Sequence, residues 1–264
     1  MPLESGLKGA RVLVTAASQG IGYGAARAFL EEGARVVVNS AHEGRLSAAV
    51  ARLQPAGEVH GVVADLATHE GVDRVMDGAL DALGGLDTLV YVTGSPRPGV
   101  FLEQGYDDWA RAAALLVVSP AYLARRAADA MIAGGVRGRM VFLTSLAIRE
   151  PIPNLALSSV CRVAVAGLVR TLARELGPKG IRVNGILPGY IHTPRIDEVA
   201  EDAARRRGMT PAQVIEGMQR DIPLGRIGSP EELARAVVFL GSEMSSYVSG
   251  AMLPVDGALL RSIG

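Results

Sequence analysis

Seven apolar runs of strand length recur along the chain, separated by segments with helical patterning: RVLVT (residues 11–15), ARVVVN (34–39), EVHGVVA (58–64), LDTLVYV (86–92), GRMVFLTS (138–145), IRVNGIL (181–187) and AMLPVDG (251–257). A sheet with one wet face would alternate apolar and polar side chains. These runs are continuous instead, which predicts strands buried on both faces, hence a parallel sheet covered by helices. The expected fold is α/β: one doubly wound, Rossmann-type domain over residues 1–264 with seven parallel strands. A chain of 264 residues can bury a large core in one such domain, and no Pro/Gly/Ser-rich linker divides it.

Sheets of this kind bind ligands beyond the carboxyl ends of their strands, where the strand order reverses. The segment VTAASQGIGYGAARAFLEEG places Gly20, Gly22 and Gly24 between the first strand and an amphipathic helix. Bare amides and the positive helix end there suit a diphosphate; the same glycines would also allow close helix-to-strand packing. Asp65, after the third strand, can accept from an adenine amino group or can cap the following helix. After the second strand come Asn39, Ser40, His42 and Arg45, with Glu43 directed into the next helix, so NADP is favoured over NAD.

Twenty-seven basic residues balance twenty-seven acidic ones, so no net field draws the chain to nucleic acid or an anionic membrane. A small-molecule substrate fits better. Cys161 is the single cysteine, the N-terminus lacks a signal-peptide pattern, and the longest apolar runs, such as AAALLVV, are too short to span a bilayer. A cytoplasmic location is expected. His42, His60, His69 and His192 share no metal-ligand spacing, and no metal site is expected.

The first-loop glycines, Gly94 after the fourth strand, Ser145 ending the fifth, RELGPKGIRVNGILPGYIHTP and SYVSGAMLPVDGAL, in that order, resemble the short-chain dehydrogenase/reductase family over residues 8–258. The flavour is that of its β-ketoacyl-carrier-protein-reductase-like branch. The resemblance implies a nicotinamide dinucleotide, NADP or NAD, held by Thr15, Ser18, Gln19, Gly20, Ile21 and Gly22 at the diphosphate. It implies Ser40, Asp65 and Leu66 on the adenosine half, and Gly94, Arg162, Pro188, Gly189, Ile191 and Thr193 on the nicotinamide half. Ala16 stands where the family has its first glycine, and Tyr91, Val92 and Thr93 stand where it has Asn-Asn-Ala.

The catalytic positions implied are Ser145, Ser158 and Arg162. Ser145 matches the family serine, but Ser158 stands in place of its tyrosine, Arg162 in place of its lysine and Leu116 near its helix asparagine. In the usual chemistry the tyrosine gives the proton and the lysine, one helical turn on, lowers its pKa and holds the ribose. Arg162 keeps the charge and the spacing, whereas an alcohol at Ser158 is too weak an acid. Ser145 and Ser158 can still cradle a carbonyl oxygen, with water as the acid. Tyr91 and Tyr190 are candidates for a displaced donor, against packing or rim roles. The competing account of the helix has Ser158 as a small first-turn residue and Arg162 as a salt-bridged surface cation.

Cys161 reads as a buried structural thiol rather than an activated one. Arg97 and Arg149 either face the pocket, where they would suit a carboxylate, phosphate or acyl-thioester head group, or form rim salt bridges with neighbours such as Glu103 or Glu150. Residues 194–223 predict two charged amphipathic helices in the place of a substrate lid. Two long helices, about 106–133 and 155–177, are implied to build a homotetramer or homodimer together with the C-terminal strand. The function expected is an NAD(P)-dependent oxidoreductase acting on a carbonyl or alcohol through a non-standard site. The alternatives are a non-catalytic cofactor-binding protein and, more distantly, a lyase or dehalogenase-like relative.

Overall fold

The structure, a computed structural model, describes residues 4–262. Seven strands form one all-parallel sheet in the order β3-β2-β1-β4-β5-β6-β7: β1 Arg11–Val14, β2 Arg35–Ser40, β3 Val59–Val63, β4 Thr88–Tyr91, β5 Arg139–Leu143, β6 Arg182–Pro188 and β7 Met252–Val255. Successive side chains of the central strands enter opposite cores, which is why their runs are apolar throughout. Val12, Val14, Val36 and Val38 meet helices α1 (Gly20–Glu31) and α10 (Pro230–Leu240) on one face. Leu13, Val37, Leu89 and Phe142 meet α3 (His69–Leu83), α5 (Ser119–Ala133) and α7 (Val163–Leu176) on the other. Each fully buried leucine or phenylalanine contributes about 1.5–3 kcal/mol.

The expectation of burial on both faces fails at the edges. In β3, His60, Gly61 and Val63 are exposed, and β7 is half-buried, because an edge strand is not fully covered by the flanking helices.

The remaining helices are α2 (Glu43–Leu53), α4 (Tyr106–Ala113), α6 (Ala156–Cys161), α8 (Pro194–Arg207) and α9 (Pro211–Asp221). Each long helix carries one local irregularity. A π-helical turn at Ala114–Val118 separates α4 from α5, and Arg162 separates α6 from α7. Residues 156–179 taken as one helical stretch have the length and apolarity to cross a membrane, which the expectation of short runs overlooked; α7 packs on β6, and only a third of the stretch's most apolar window is buried.

Candidate active site

Strand order reverses between β1 and β4, so the loops after these strands diverge and leave a cleft at the carboxyl edge of the sheet. Thr15 closes the floor. Its amide donates to the Val90 carbonyl, its hydroxyl donates to the Val92 carbonyl, and that hydroxyl accepts from the Val92 amide at 2.9 Å. Asn39 holds the loop from the other side. It is 1% exposed; its carboxamide donates to the Val62 and Ala64 carbonyls at 3.1 and 3.0 Å and accepts from the Ala16 amide at 3.4 Å. Asn39 is therefore a scaffold for the loop and is not free for a ribose. Ser40, also buried, accepts from the His42 amide at 3.2 Å, while His42 and Arg45 are exposed at the start of α2.

Gln19, the residue preceding α1, makes no side-chain capping bond, so the first amides of the helix are left for an anion. Ser18, Gln19, Gly20, Ile21 and Gly22 line this turn. A Cβ on Gly22 would lie 2.6 Å from the Ala16 carbonyl oxygen, and Gly20 takes a left-handed φ of +58°. The alanine in the family's first-glycine position adopts φ +45°, a conformation that strains any residue with a Cβ. Ala16→Gly is expected to stabilise the protein by up to about 1 kcal/mol net of the added chain entropy, raising Tm by about 2–4 °C. An unchanged or lower Tm in a thermal melt would place no strain at this residue.

Asp65 does not cap the next helix. Thr68 does, accepting from the Gly71 amide. Asp65 instead accepts from the Ala67 amide at 2.9 Å and from Arg111 at 3.2 Å; burial acts to raise its pKa, and these bonds outweigh it and hold the carboxyl below its ordinary value. Leu66 beside it is buried in the core.

On the opposite side of the cleft, a side chain at Gly94 would meet nothing within 4 Å, which leaves the space beyond β4 open. Pro188 ends β6, and a Cβ on Gly189 would lie 2.6 Å from Asp256 Cα, so only glycine lets the loop approach the backbone after β7 this closely. Ile191 is buried and pairs with Gly228. Thr193 comes within van der Waals reach of the diphosphate loop: a Cβ on Gly20 would lie 3.4 Å from its methyl group.

At the end of β5, Ser145 Oγ accepts from the Ala147 amide at 3.1 Å, leaving its hydroxyl hydrogen free to donate outward. Ser158 is 6% exposed, and its Oγ has no hydrogen-bond partner among the described residues. The Arg162 amide donates to the Ser158 carbonyl at 3.1 Å, so the two side chains share one helix face.

Arg162 is neither exposed nor salt-bridged. It is 6% exposed, and its Nη1 reaches only the carbonyls of Leu143 and Thr144 at 3.5 and 3.4 Å. Burial pulls the guanidinium down to about 10; nearby Tyr91 opposes the shift and nearby Arg195 adds to it. At neutral pH it remains a cation, with no carboxylate against it among the described residues.

Tyr91 is not a displaced acid. Burial pushes its phenol up to about 12, and its hydroxyl donates to the Leu115 carbonyl at 2.8 Å, within 3.2 Å of Ser119 Oγ. The π turn explains this bond, since a widened turn releases a carbonyl from the helical ladder. Leu116 itself packs with Ala112, Leu157 and Cys161. Tyr190 is raised by its own burial and, next, by Asp221. Cys161 is buried and its thiol is raised by burial, which fits a structural role. Arg97 forms a rim pair with Asp108 at 2.8 Å and donates to the Glu103 carbonyl at 2.7 Å; Glu150 accepts from the Arg261 and Ser262 amides rather than from Arg149.

Above the site, α8 and α9 carry a small core of their own, including Ile196, Ala200, Val214 and Met218. Arg206 on α8 clasps Glu103 at 2.8 and 2.9 Å, and Arg195 donates to the Pro96 carbonyl at 3.2 Å. Both contacts tie these helices to the segment after β4. Sequence reading missed Arg195 and the Tyr91–Leu115 contact. Nothing in the local sequence marks them, because their partners lie 99 and 24 residues away.

Residues 15–259 match the family model described as Enoyl-(Acyl carrier protein) reductase. The chain is 33% identical over 256 residues to 3beta-hydroxysteroid dehydrogenase 1 of Eggerthella lenta, covering 96% of this chain and 94% of that one. It is also 33% identical over 260 residues to glucose 1-dehydrogenase of Gluconobacter oxydans, covering 98% and 94%. The L-sorbose reductase of Gluconobacter frateurii, solved with NADPH and L-sorbose, superposes with a TM-score of 0.93 at 31% identity, covering 99% of this chain and 100% of that one. With its parallel sheet, its glycine-rimmed α1 and these relatives spanning nearly its whole length, the chain belongs to the short-chain dehydrogenase/reductase family.

Proposed function

We propose that the protein is an NAD(P)-dependent oxidoreductase, with NADP preferred, that interconverts a carbonyl and an alcohol through a site built on Ser145, Ser158 and Arg162. The observation that carries this reading is the close approach of Thr193 to Gly20, where an added Cβ would lie 3.4 Å from the threonine methyl, which sets the uncapped helix end beside the β6 loop. The residues fit the cofactor: α1 offers free amides for a diphosphate, Gly94 leaves space beyond β4, and Ile191 and Thr193 stand at the nicotinamide end. Exposed His42 and Arg45, with no acid directly after β2, favour a 2′-phosphate. When bound, the nicotinamide supplies or takes up a hydride.

The chain's own residues handle the oxygen. Ser145 donates its free hydroxyl hydrogen to the carbonyl oxygen, and Ser158 offers a second hydroxyl. Arg162 stabilises the charge that develops there, in a dry setting where a fixed cation counts for more than in water. Neither serine is acidic enough to surrender its proton outright, so the proton comes from water and the rate is modest. Helices α8 and α9 act as the lid over the substrate.

A fluorescence titration with NADPH and NADH, followed by a carbonyl panel, tests this. Binding with oxidation of the reduced cofactor supports the reading. Binding without turnover would favour a second reading, a nicotinamide-binding protein without catalysis, which the serine at the tyrosine position makes specific. No binding of either would remove both.

We also propose a cytoplasmic homo-oligomer, a tetramer or dimer, assembled through α4–α5 and α6–α7. Val118, Val160 and Val163 are exposed on these helices beside an apolar groove lined by Leu116, Val117, Pro120, Ala164 and Leu168. Val163→Glu is expected to convert the assembly to monomers in light scattering coupled to size exclusion. A wild-type monomer would refute the proposal.

A further inference from the structure

The cleft described above lies at the carboxyl end of the sheet; the amino end carries a different chemistry. Strands β1, β5 and β6 each begin with an arginine, Arg11, Arg139 and Arg182, and Asp87 immediately precedes β4, which runs between β1 and β5. Strand pairing sets these residues side by side. The Asp87 amide donates to the Arg11 carbonyl at 2.9 Å, the Arg139 amide donates to the Asp87 carbonyl at 3.0 Å, and Arg139 stands opposite Arg182 in register. Beside this row lies a cavity of about 340 Å³, whose charged lining is Lys8, Asp87, Arg137, Arg139 and Glu243. That volume is at the lower end of the range for small-ligand sites.

Both acids of the lining are engaged. Asp87 accepts from Arg11 through its two carboxylate oxygens, at 2.8 and 2.9 Å, and Glu243 pairs with Arg139 Nη2. Arg139 is 6% exposed, and its buried Nε has no hydrogen-bond partner among the described residues. Arg182 donates to Ser242 and Ser245 rather than to an acid. Lys8 and Arg137 are exposed and form no ion pair among the described residues. Five cations thus line or border a cavity that meets two carboxylates, and no third acid lines it among the described residues. A buried donor left open and an excess of positive charge around one cavity are both relieved by an anion.

We propose that this cavity is a second ligand site, independent of the oxidoreductase reading, that takes the phosphate group of a small molecule. A phosphate group carries about −1.5 to −2 charges at neutral pH and three strong acceptor oxygens. Its oxygens point in different directions, so Arg139 meets them from the floor while Lys8 and Arg137 close on them from the mouth. A monocarboxylate brings too little charge to balance the same cations. Binding makes and breaks no covalent bond.

The test is a calorimetric titration of the purified full chain with inorganic phosphate, with glycerol 3-phosphate and with acetate, at constant ionic strength. Both phosphates are expected to bind saturably and to raise Tm, and acetate to do neither. Lys8→Ala combined with Arg137→Ala is expected to weaken phosphate binding about tenfold or more, whereas the charge-conserving pair Lys8→Arg with Arg137→Lys keeps it. The ester binding more tightly than the free ion would make the occupant an organic phosphate, and the reverse an inorganic one; either order supports the site. Absence of saturable phosphate binding beyond the acetate control would overturn the proposal. So would a double alanine variant that binds phosphate as the wild type does, since the anion would then sit elsewhere, at the start of α1.

Discussion

Arg162→Met is expected to lower turnover by about 10²-fold or more while making the protein more heat-stable. Both effects come from the same burial. The guanidinium has left water with only 3.4–3.5 Å carbonyl contacts in exchange, and methionine has a similar length without the charge. Relieving the unpaired charge is expected to gain about 1–3 kcal/mol, or about 2–4 °C in Tm for each kcal/mol at this chain length. Activity falls because the cation that meets the developing negative charge is gone. A thermal melt beside a turnover assay checks the two signs together. A lower Tm would mean that the carbonyls of Leu143 and Thr144 depend on Arg162, and unchanged turnover would remove it from the chemistry.

The second large effect is a gain. The double variant Ser158→Tyr with Arg162→Lys places a phenol and an amine one helical turn apart on a face that already reaches the Leu143 and Thr144 carbonyls next to Ser145. Reduction is expected to rise by about 10²-fold, the contribution of a positioned general acid. A phenol must be protonated to donate, so reduction falls as pH rises through its pKa, which the neighbouring ammonium lowers from about 10. The wild-type profile lacks this inflection, because its serines do not titrate in that range and Arg162, at about 10, remains a cation through neutral pH. Restored acid without restored rate would show that the Tyr91–Leu115 contact or the sealed Leu116 position also limits the site.

The seven runs were legible as strands because a strand buried on both faces must be apolar at every position. The diphosphate turn was legible because glycine at residues 20 and 22 answers a backbone requirement. The same reasoning misjudged β3, whose apolar run ends on an open edge, and nothing in it marked the π turn at Ala114–Val118 within the first long helix or the turn at Arg162 within the second. Asn39 shows the limit well. It was read only as one of the non-acidic residues after β2, yet it is 1% exposed and ties the first loop to β3.

By itself, the sequence determined the parallel sheet, the glycine rim, the pairing of Ser158 with Arg162 on one helix face and the absence of a phenol from that face. These follow from periodicity and local backbone geometry, which neighbouring residues carry. Only the tertiary structure decided that Arg162 is a buried, unpaired cation rather than a surface one, that Tyr91 is spent on the Leu115 carbonyl, and that Arg195 joins the cleft. Charge state and hydrogen-bond satisfaction depend on what the fold brings from distant parts of the chain, and on how much water it shuts out.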